Sequence, residues 1–413
     1  MPSLSAEAPT LSLVPVRQHF ASSAAVDVRH VVLSGLADLC PSRIRPGMRV
    51  GVAVGSRGIG RYTEMVAAVV QGLRAAGAEP FLFPAMGSHG GGTAEGQQQV
   101  LVANGMGELG VPIRSTQDTV EIGTAPDGMP VHWDRFAAAA DGVVVVNRVK
   151  AHTAFRGRWE SGLFKMIAVG IGNRRGAEEA HGRGIGEAIP AAARVAVATG
   201  RVLAGVAVVE NGRHEPAVVR VMPGDAIEDE EPRLLDVARR LQPGIPFPVL
   251  DLLVVQQMGK DISGTGMDTN VIGMWRRNGG AREPDYRCLA VLELTPGSHG
   301  NATGIGMADI IPGRLAAQVD WNATYLNCLT ARNFAGAKQP MVLPTDRDVI
   351  TAGLDGAAAP ARVVLVRSTL EVEAMWVSPP VASMATDLAC DVVGDPQVIE
   401  FDASGRLVFP VAP

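Results

Sequence analysis

Aromatic residues make up only 4% of this 413-residue chain, too few for a platform on which nucleobases would stack. Basic charge is not in excess either. The formal net charge is -5 and the isoelectric point about 5.9, whereas a nucleic-acid partner calls for a basic face. No apolar run approaches the roughly 20 residues that cross a bilayer. Residues 1–20 lack a basic start and their apolar patch is interrupted by Pro15, so no signal peptide is expected. The four cysteines, Cys40, Cys288, Cys328 and Cys390, are scattered without C-x-x-C spacing. That pattern suits buried thiols in a reducing compartment better than disulfides or a zinc site, and makes a cytoplasmic location the expectation. A small-molecule partner remains, with neither nucleic acid nor membrane.

What is present is a globular composition, 47% hydrophobic and 19% charged, on a chain long enough for two cores. The stretch "RVGVAVGSRGIGRYTEMVAAVVQGLRAAGAEPFLFPAMGSHGGG" reads as a strand ending near Val54, a glycine-rich turn, a helix from about Tyr62 to Ala76 and a second strand over Glu79 to Pro84. Such a β-α-β alternation implies a parallel sheet covered by helices. Further strands are expected at "GVVVVNRV", "VLAGVAVVEN", "LDLLVVQQM", "CLAVLELT" and "ARVVLVRST", and the acidic "DAIEDEEPRLLDVARRL" begins a helix. The expected fold is α/β: two α/β domains with parallel or mixed sheets and an interdomain active-site cleft. The prolines of "LQPGIPFPVLD" mark the joint between residues 1–246 and 249–384, and those of "WVSPPVASM" suggest that residues 385–413 return to the first domain.

Several residues carry candidate chemistry. The loop "GSRGIGR" departs from the dinucleotide fingerprint, and the next strand ends without a ribose-binding carboxylate, so NAD is weakly supported. Arg57, at a strand's carboxyl end, is placed either to grip a carboxylate or phosphate or as a surface arginine in a tight turn. His89 in "MGSHGGGT" and His152 in "NRVKAHTAF" each follow a strand; together they suggest paired acid–base groups, and singly they read as loop hydrogen-bonding groups. "GSHG" recurs around His299, where His299, Asn301 and Asp309 either line a cleft or form a plain turn. Lys165 lies in the apolar "LFKMIAVG", sixteen positions before His181. Burial would leave it a neutral amine able to form a covalent bond; the commoner alternative is a chain that snorkels to water. A zinc site from His89, His152 and His181 lacks the usual ligand spacing.

In this order, Arg57 in "GSRG", His89 in "GSH", His152 in "VKAH", Lys165 in "LFKM" and His181 in "EEAH" resemble the motifs of the nickel-pincer lactate racemase family, and Gln257 and Lys260 in "QQMGK" match its Q-x-x-K pair. The resemblance is specific mainly between residues 50 and 181. It implies that Lys165 is thioamide-linked to a nicotinate-derived mononucleotide holding nickel in a sulfur–carbon–sulfur pincer, with His181 as the remaining metal ligand. It further implies partner proteins that make the cofactor. An acylated lysine carries no charge, which suits its apolar neighbours. Arg174 and Arg175 in "GIGNRRG" are candidates for the nucleotide phosphate.

The expected activity is then racemisation or epimerisation of a 2-hydroxy acid by reversible hydride transfer. His89 and His152 would take the hydroxyl proton on opposite faces, neither holding the cofactor. Arg57 and Lys260 would fix the carboxylate and Gln257 would orient it. Three departures place lactate itself in question: Val54 stands where the family has aspartate, Gly58 follows Arg57 where proline is common, and "TAFRGRWESGLF" lengthens the link from His152 to Lys165, adding Arg156, Arg158, Trp159 and Glu160. Two other readings stay open, a zinc-dependent hydrolase using the same histidines and a non-catalytic sugar-acid binding protein.

Overall fold

Val143, Val144, Val145 and Val146 are all fully buried, yet they alternate between two apolar clusters, the odd-numbered pair in one and the even-numbered pair in the other. Side chains on a strand alternate between faces, so such a run fits only the middle of a sheet covered on both sides. The computed structural model describes residues 11–20, 26–56 and 58–408, so Arg57 lies outside the described residues. The chain divides between Gln242 and Pro243 into two units, one of residues 26–242 and one joining residues 11–20 to 243–408.

Strand β1 (Ser12–Gln18) belongs to the second of these. In the 26–242 unit, β2 (Arg49–Val54), β3 (Glu79–Pro84), β6 (Gly142–Arg148) and β7 (Val202–Glu210) run parallel and β8 (Pro216–Pro223) antiparallel, in the order β3-β2-β6-β7-β8. The strands β4 (Thr119–Thr124) and β5 (Pro130–Asp134) form a separate hairpin. One face of the sheet packs with α1 (Val28–Arg43) and α2 (Tyr62–Ala75), through residues such as Leu36, Met65 and Leu73. After α3 (Ala94–Ala103), the helices α4 (Asn173–Arg183), α5 (Ile185–Ala198) and α6 (Ile227–Leu241) bury Ala177, Ala192 and Leu235 in the other cluster. Acidic residues open α6 and Arg239 and Arg240 close it, in keeping with its dipole. Because β3 and β6 flank β2 on opposite sides, the loops leaving β2 and β6 diverge at the strands' carboxyl ends, the usual place for a ligand in such a sheet.

The second unit is also α/β, with β9 (Val249–Met258), β10 (Asp285–Leu294), β11 (Ile310–Pro312), β12 (Met341–Leu343) and β13 (Val363–Val366) parallel. Its sheet is extended by antiparallel β14 (Ala374–Val377), β1 and β15 (Cys390–Val392). The expected return of residues 385–413 to the first domain is therefore not found for Cys390–Val392, which pairs with β1, and β1 itself has left the first domain for this sheet. The physical reason is the open edge of β14: β1 covers it and buries Leu13, Val14 and Val16. The prolines of "WVSPP" open the helical turn Pro379–Ala382, a position that tolerates proline well, and mark no crossing. All four cysteines are buried and free. Among the described residues, no helix is long and apolar enough to cross a membrane.

Trp133 of β5 is fully buried and donates its indole N–H to the carbonyl of Ile167 at 3.2 Å, tying the hairpin to the segment after Lys165. Trp133→Ala is expected to lower the unfolding free energy by about 3–5 kcal/mol, as read by urea denaturation; a loss below about 1 kcal/mol would contradict this packing role.

Candidate active site

The loop that follows β2 is fastened at both ends. The Gly55 N–H donates to the Tyr62 hydroxyl at 2.8 Å, which donates onward to the Val146 carbonyl of β6 at 3.0 Å. The Gly60 N–H donates to Glu210 at 2.6 Å, and Glu210 is ion-paired with Arg148. Burial of the Tyr62 hydroxyl raises its pKa further above the ordinary range, so it acts as a neutral hydrogen-bonding group. Between these anchors, Ser56 Oγ lies 2.5 Å from His89 Nδ1, a hydrogen bond that joins the loop after β2 to the loop after β3. Gln97 of α3, fully buried, donates to the carbonyls of Gly87 at 2.8 Å and His89 at 3.3 Å. Gly87 has a φ of +61°, and an added Cβ would sit 3.5 Å from Ala177 and 3.6 Å from the Val169 carbonyl. The histidine loop thus lies directly on α4 and on the segment after Lys165.

That segment is unusual. Leu163–Lys165 forms one helical turn that passes into a π-helical turn over Met166–Gly170, a form often found at functional sites. Met166 Cε would lie 3.2 Å from a Cβ placed on Gly55, so the residue beside Lys165 touches the loop that carries Arg57. Lys165 is half-buried while its neighbours Leu163, Phe164, Met166 and Ile167 are buried. Its Nζ lies 2.8 Å from His152 Nε2. The other ring nitrogen of His152 accepts the Ala154 N–H at 3.0 Å.

His152 is held by a carboxylate of the lengthened link, whose contact the sequence did not reveal. Glu160, only 1% exposed, accepts the His152 N–H at 2.6 Å and the Gly157 N–H at 3.1 Å and is paired with Arg239 of α6 at 2.7 Å. Of the other residues in the long link, Arg156 donates to the His152 carbonyl at 2.8 Å, Arg158 pairs with Asp229 at 3.0 Å, and Trp159 is buried against Phe164 and bonds the Glu228 carbonyl at 3.0 Å. Much of the added length therefore fastens the His152 loop to α6.

Arg174 lies beside Gly92 of the histidine loop, is exposed and pairs with Glu178 at 3.0 Å. Arg175, next on the helix and also exposed, contributes its charge to the environment of His132, so the two arginines serve different surroundings. His181 stands one turn beyond Ala177 on the same side of α4 and is half-buried. Among the described residues, no three His, Cys, Asp or Glu side chains are grouped to hold a metal.

The remaining candidates lie in the unit of residues 243–408. Gln257 donates to Glu293 at 3.3 Å, and Lys260 Nζ donates to the Gly264 carbonyl at 2.7 Å and Asn327 at 2.6 Å. Ser298, beside His299, accepts the Lys260 N–H at 3.0 Å, and Asn301 reaches the same Asn327 at 3.4 Å. Asp309 belongs elsewhere: it is paired with Arg276 and accepts the Leu289 N–H at 2.7 Å.

Ser56 escaped the sequence reading, and Glu160 and Glu231 entered it only as part of the lengthened link and of an acidic helix start, without a role at the site. Only Glu231 left a signal: it stands four residues after Ile227 and three before Leu234, on the buried stripe of α6. Its carboxylate accepts the Phe164 N–H at 2.9 Å beneath the turn that bears Lys165. Burial raises its pKa to about 7, backbone hydrogen bonds from Phe164 and Leu163 opposing the shift. Because the folded chain keeps this proton where the unfolded chain releases it, stability should fall as pH rises from about 4.5 to about 7. Glu231→Gln should remove that part of the slope in denaturation curves taken across the range. Identical slopes in variant and parent would refute the assignment. The raised pKa of Asp134, about 6 through burial, acts in the same direction in both proteins and cancels in the comparison.

Residues 41–191 match the family described as lactate racemase N-terminal domain. Among solved structures, the lactate racemase apoprotein from Thermoanaerobacterium thermosaccharolyticum is similar at 11% identity and a TM-score of 0.50, over 88% of this chain and 99% of that one. A crystal structure of a protein from Thermotoga maritima is similar at 14% identity and a TM-score of 0.50, over 80% of this chain and 84% of that one. Identities this low speak to the shared fold alone. No curated protein matches the chain. The matched residues include Arg57, His89, His152, Lys165 and His181, so the region of residues 41–191 is similar to the N-terminal domain of lactate racemases.

Proposed function

We propose that the protein racemises or epimerises a 2-hydroxy acid and that Lys165 is the covalent anchor of a nickel-pincer nucleotide. The observation that carries this reading is the placement of Lys165: a half-buried amine against an imidazole at 2.8 Å. The donor set fits the group. The lysine is the one amine within the apolar segment, and His181 on α4 offers a single imidazole, which suffices where the cofactor brings its own sulfur and carbon donors. When bound, the cofactor supplies an electron-poor ring that accepts hydride.

The chain's own residues handle the proton, the carboxylate and the phosphate. His89 and His152 exchange the hydroxyl proton of opposite enantiomers. The Ser56 hydroxyl fixes the His89 ring through Nδ1, so proton exchange falls to Nε2. Arg57 and Lys260 bind the substrate carboxylate, Gln257 orients it, and Arg174 and Arg175 serve the nucleotide phosphate. With Val54 fully buried where the family has a carboxylate, Ser56 takes over the task of orienting the loop's histidine partner. Arg156, exposed on the His152 loop, favours a 2-hydroxy acid larger or more polar than lactate.

His89 is the cleaner histidine to test, because His152 touches Lys165. In cofactor-loaded protein, His89→Ala should lower kcat on a confirmed 2-hydroxy acid about 10²-fold or more with nickel content per chain unchanged, and His181→Ala should lower the nickel content itself. Racemisation by His89→Ala at the parent rate would overturn the two-base assignment.

A further inference from the structure

The geometry points to a second task for His152: it holds Lys165 as a free amine and so makes it the acylation-prone lysine of the chain, before any cofactor is attached. The argument begins with the ring's other nitrogen. Nδ1 accepts the Ala154 N–H at 3.0 Å, so it carries no proton, and a neutral imidazole must then carry its proton on Nε2. That proton faces Lys165 Nζ across 2.8 Å. An ammonium there would set donor against donor. A neutral amine offers its lone pair to Nε2–H, and both nitrogens are satisfied.

The charged groups around the pair fit this assignment. Glu160 meets the backbone N–H of His152 and is matched by Arg239, Arg156 meets the His152 carbonyl, and Glu231 meets the backbone N–H of Phe164. Each of these contacts goes to backbone or to a countercharge. The buried neighbours Phe164 and Met166 also disfavour an ammonium. Lysine is rare here: Lys150, Lys165, Lys260 and Lys338 are four among 37 basic Lys and Arg residues. Lys260 donates from Nζ to Gly264 and Asn327, as an ammonium does, and Lys338 is exposed.

The step this permits is an ordinary acyl transfer. Nζ turns its lone pair from Nε2–H to the carbon of a thiocarboxylic or activated carboxylic group, and a C–N bond forms. The bond from that carbon to its leaving oxygen or sulfur breaks, and the leaving group departs with the amine's proton. No oxidant or reductant takes part. The identity of the natural electrophile rests on the reading proposed above; the state of the amine does not.

Competitive labelling tests the amine directly. The unmodified full-length chain is treated with trace acetic anhydride between about pH 6 and pH 11, and the acetylation of each lysine is read by peptide mapping. An ordinary lysine, with a pKa near 10.4, is almost wholly protonated at pH 7. Lys165 should therefore label at least about ten-fold faster than Lys338 at pH 7, with a profile displaced to lower pH. In His152→Ala the Lys165 profile should move up toward that of Lys338, while the Lys338 profile stays in place. Should that variant fail to fold, the parent profile decides. A Lys165 that labels no faster than Lys338 at pH 7, or a profile that His152→Ala leaves unmoved, overturns the proposal. Because the assay contains no cofactor, failure of the pincer reading would leave a positive result standing, and a cofactor adduct found beside a negative result would refute this proposal alone.

Discussion

A contact of 2.8 Å between an imidazole and an amine, His152 Nε2 to Lys165 Nζ, is the interaction around which the 26–242 unit is arranged. It requires two segments to meet that are thirteen residues apart in sequence, one leaving β6 and one at the start of a π-helical turn. Glu160 fixes the first through the His152 N–H, and Glu231 fixes the second through the Phe164 N–H. Both carboxylates are buried, where leaving a hydrogen-bonding group unmatched is costly. The position of the amine therefore depends on the docking of α6, since Glu231 and the Arg239 partner of Glu160 both stand on that helix.

The departures from the family pattern have a common physical sense. Val54 stands where the family has a carboxylate, and a neutral hydroxyl, Ser56, meets His89 at 2.5 Å. The longer link between His152 and Lys165 adds a buried glutamate and a buried tryptophan that reach α6. One change brings a neutral hydroxyl to a histidine, and the other fastens the loop that bears its counterpart to α6. Both act around His89 and His152, the residues proposed to handle the proton.

Much of the first unit was legible in the sequence because its strands and turns are local signals. The valine run of β6 and the glycine that ends α2 need no distant partner to be read, and the order of Arg57, His89, His152, Lys165 and His181 along the chain is the basis of the proposed site. What was not legible depends on pairing across the chain. Nothing in "SLVPVRQ" announces that β1 will cover the edge of β14, more than 350 residues away by the register Val14 to Val377. Glu160 gave no sign of meeting Arg239, because a carboxylate in a polar loop looks the same whether solvated or buried. Glu231 was hidden within an acidic run that reads as a helix start, although its helical phase placed it on the apolar stripe. The tautomer of His152 rests on a single backbone N–H, that of Ala154, which no sequence pattern encodes.

The central claim is that Lys165 carries the cofactor, and peptide mapping by mass spectrometry tests it most directly. The protein should be produced in a host equipped with a complete pincer-cofactor pathway, beside a known racemase that the same host loads. The account predicts a nucleotide-derived adduct on the peptide containing Lys165 and its absence in Lys165→Ala. An unmodified Lys165 beside a loaded racemase would contradict it.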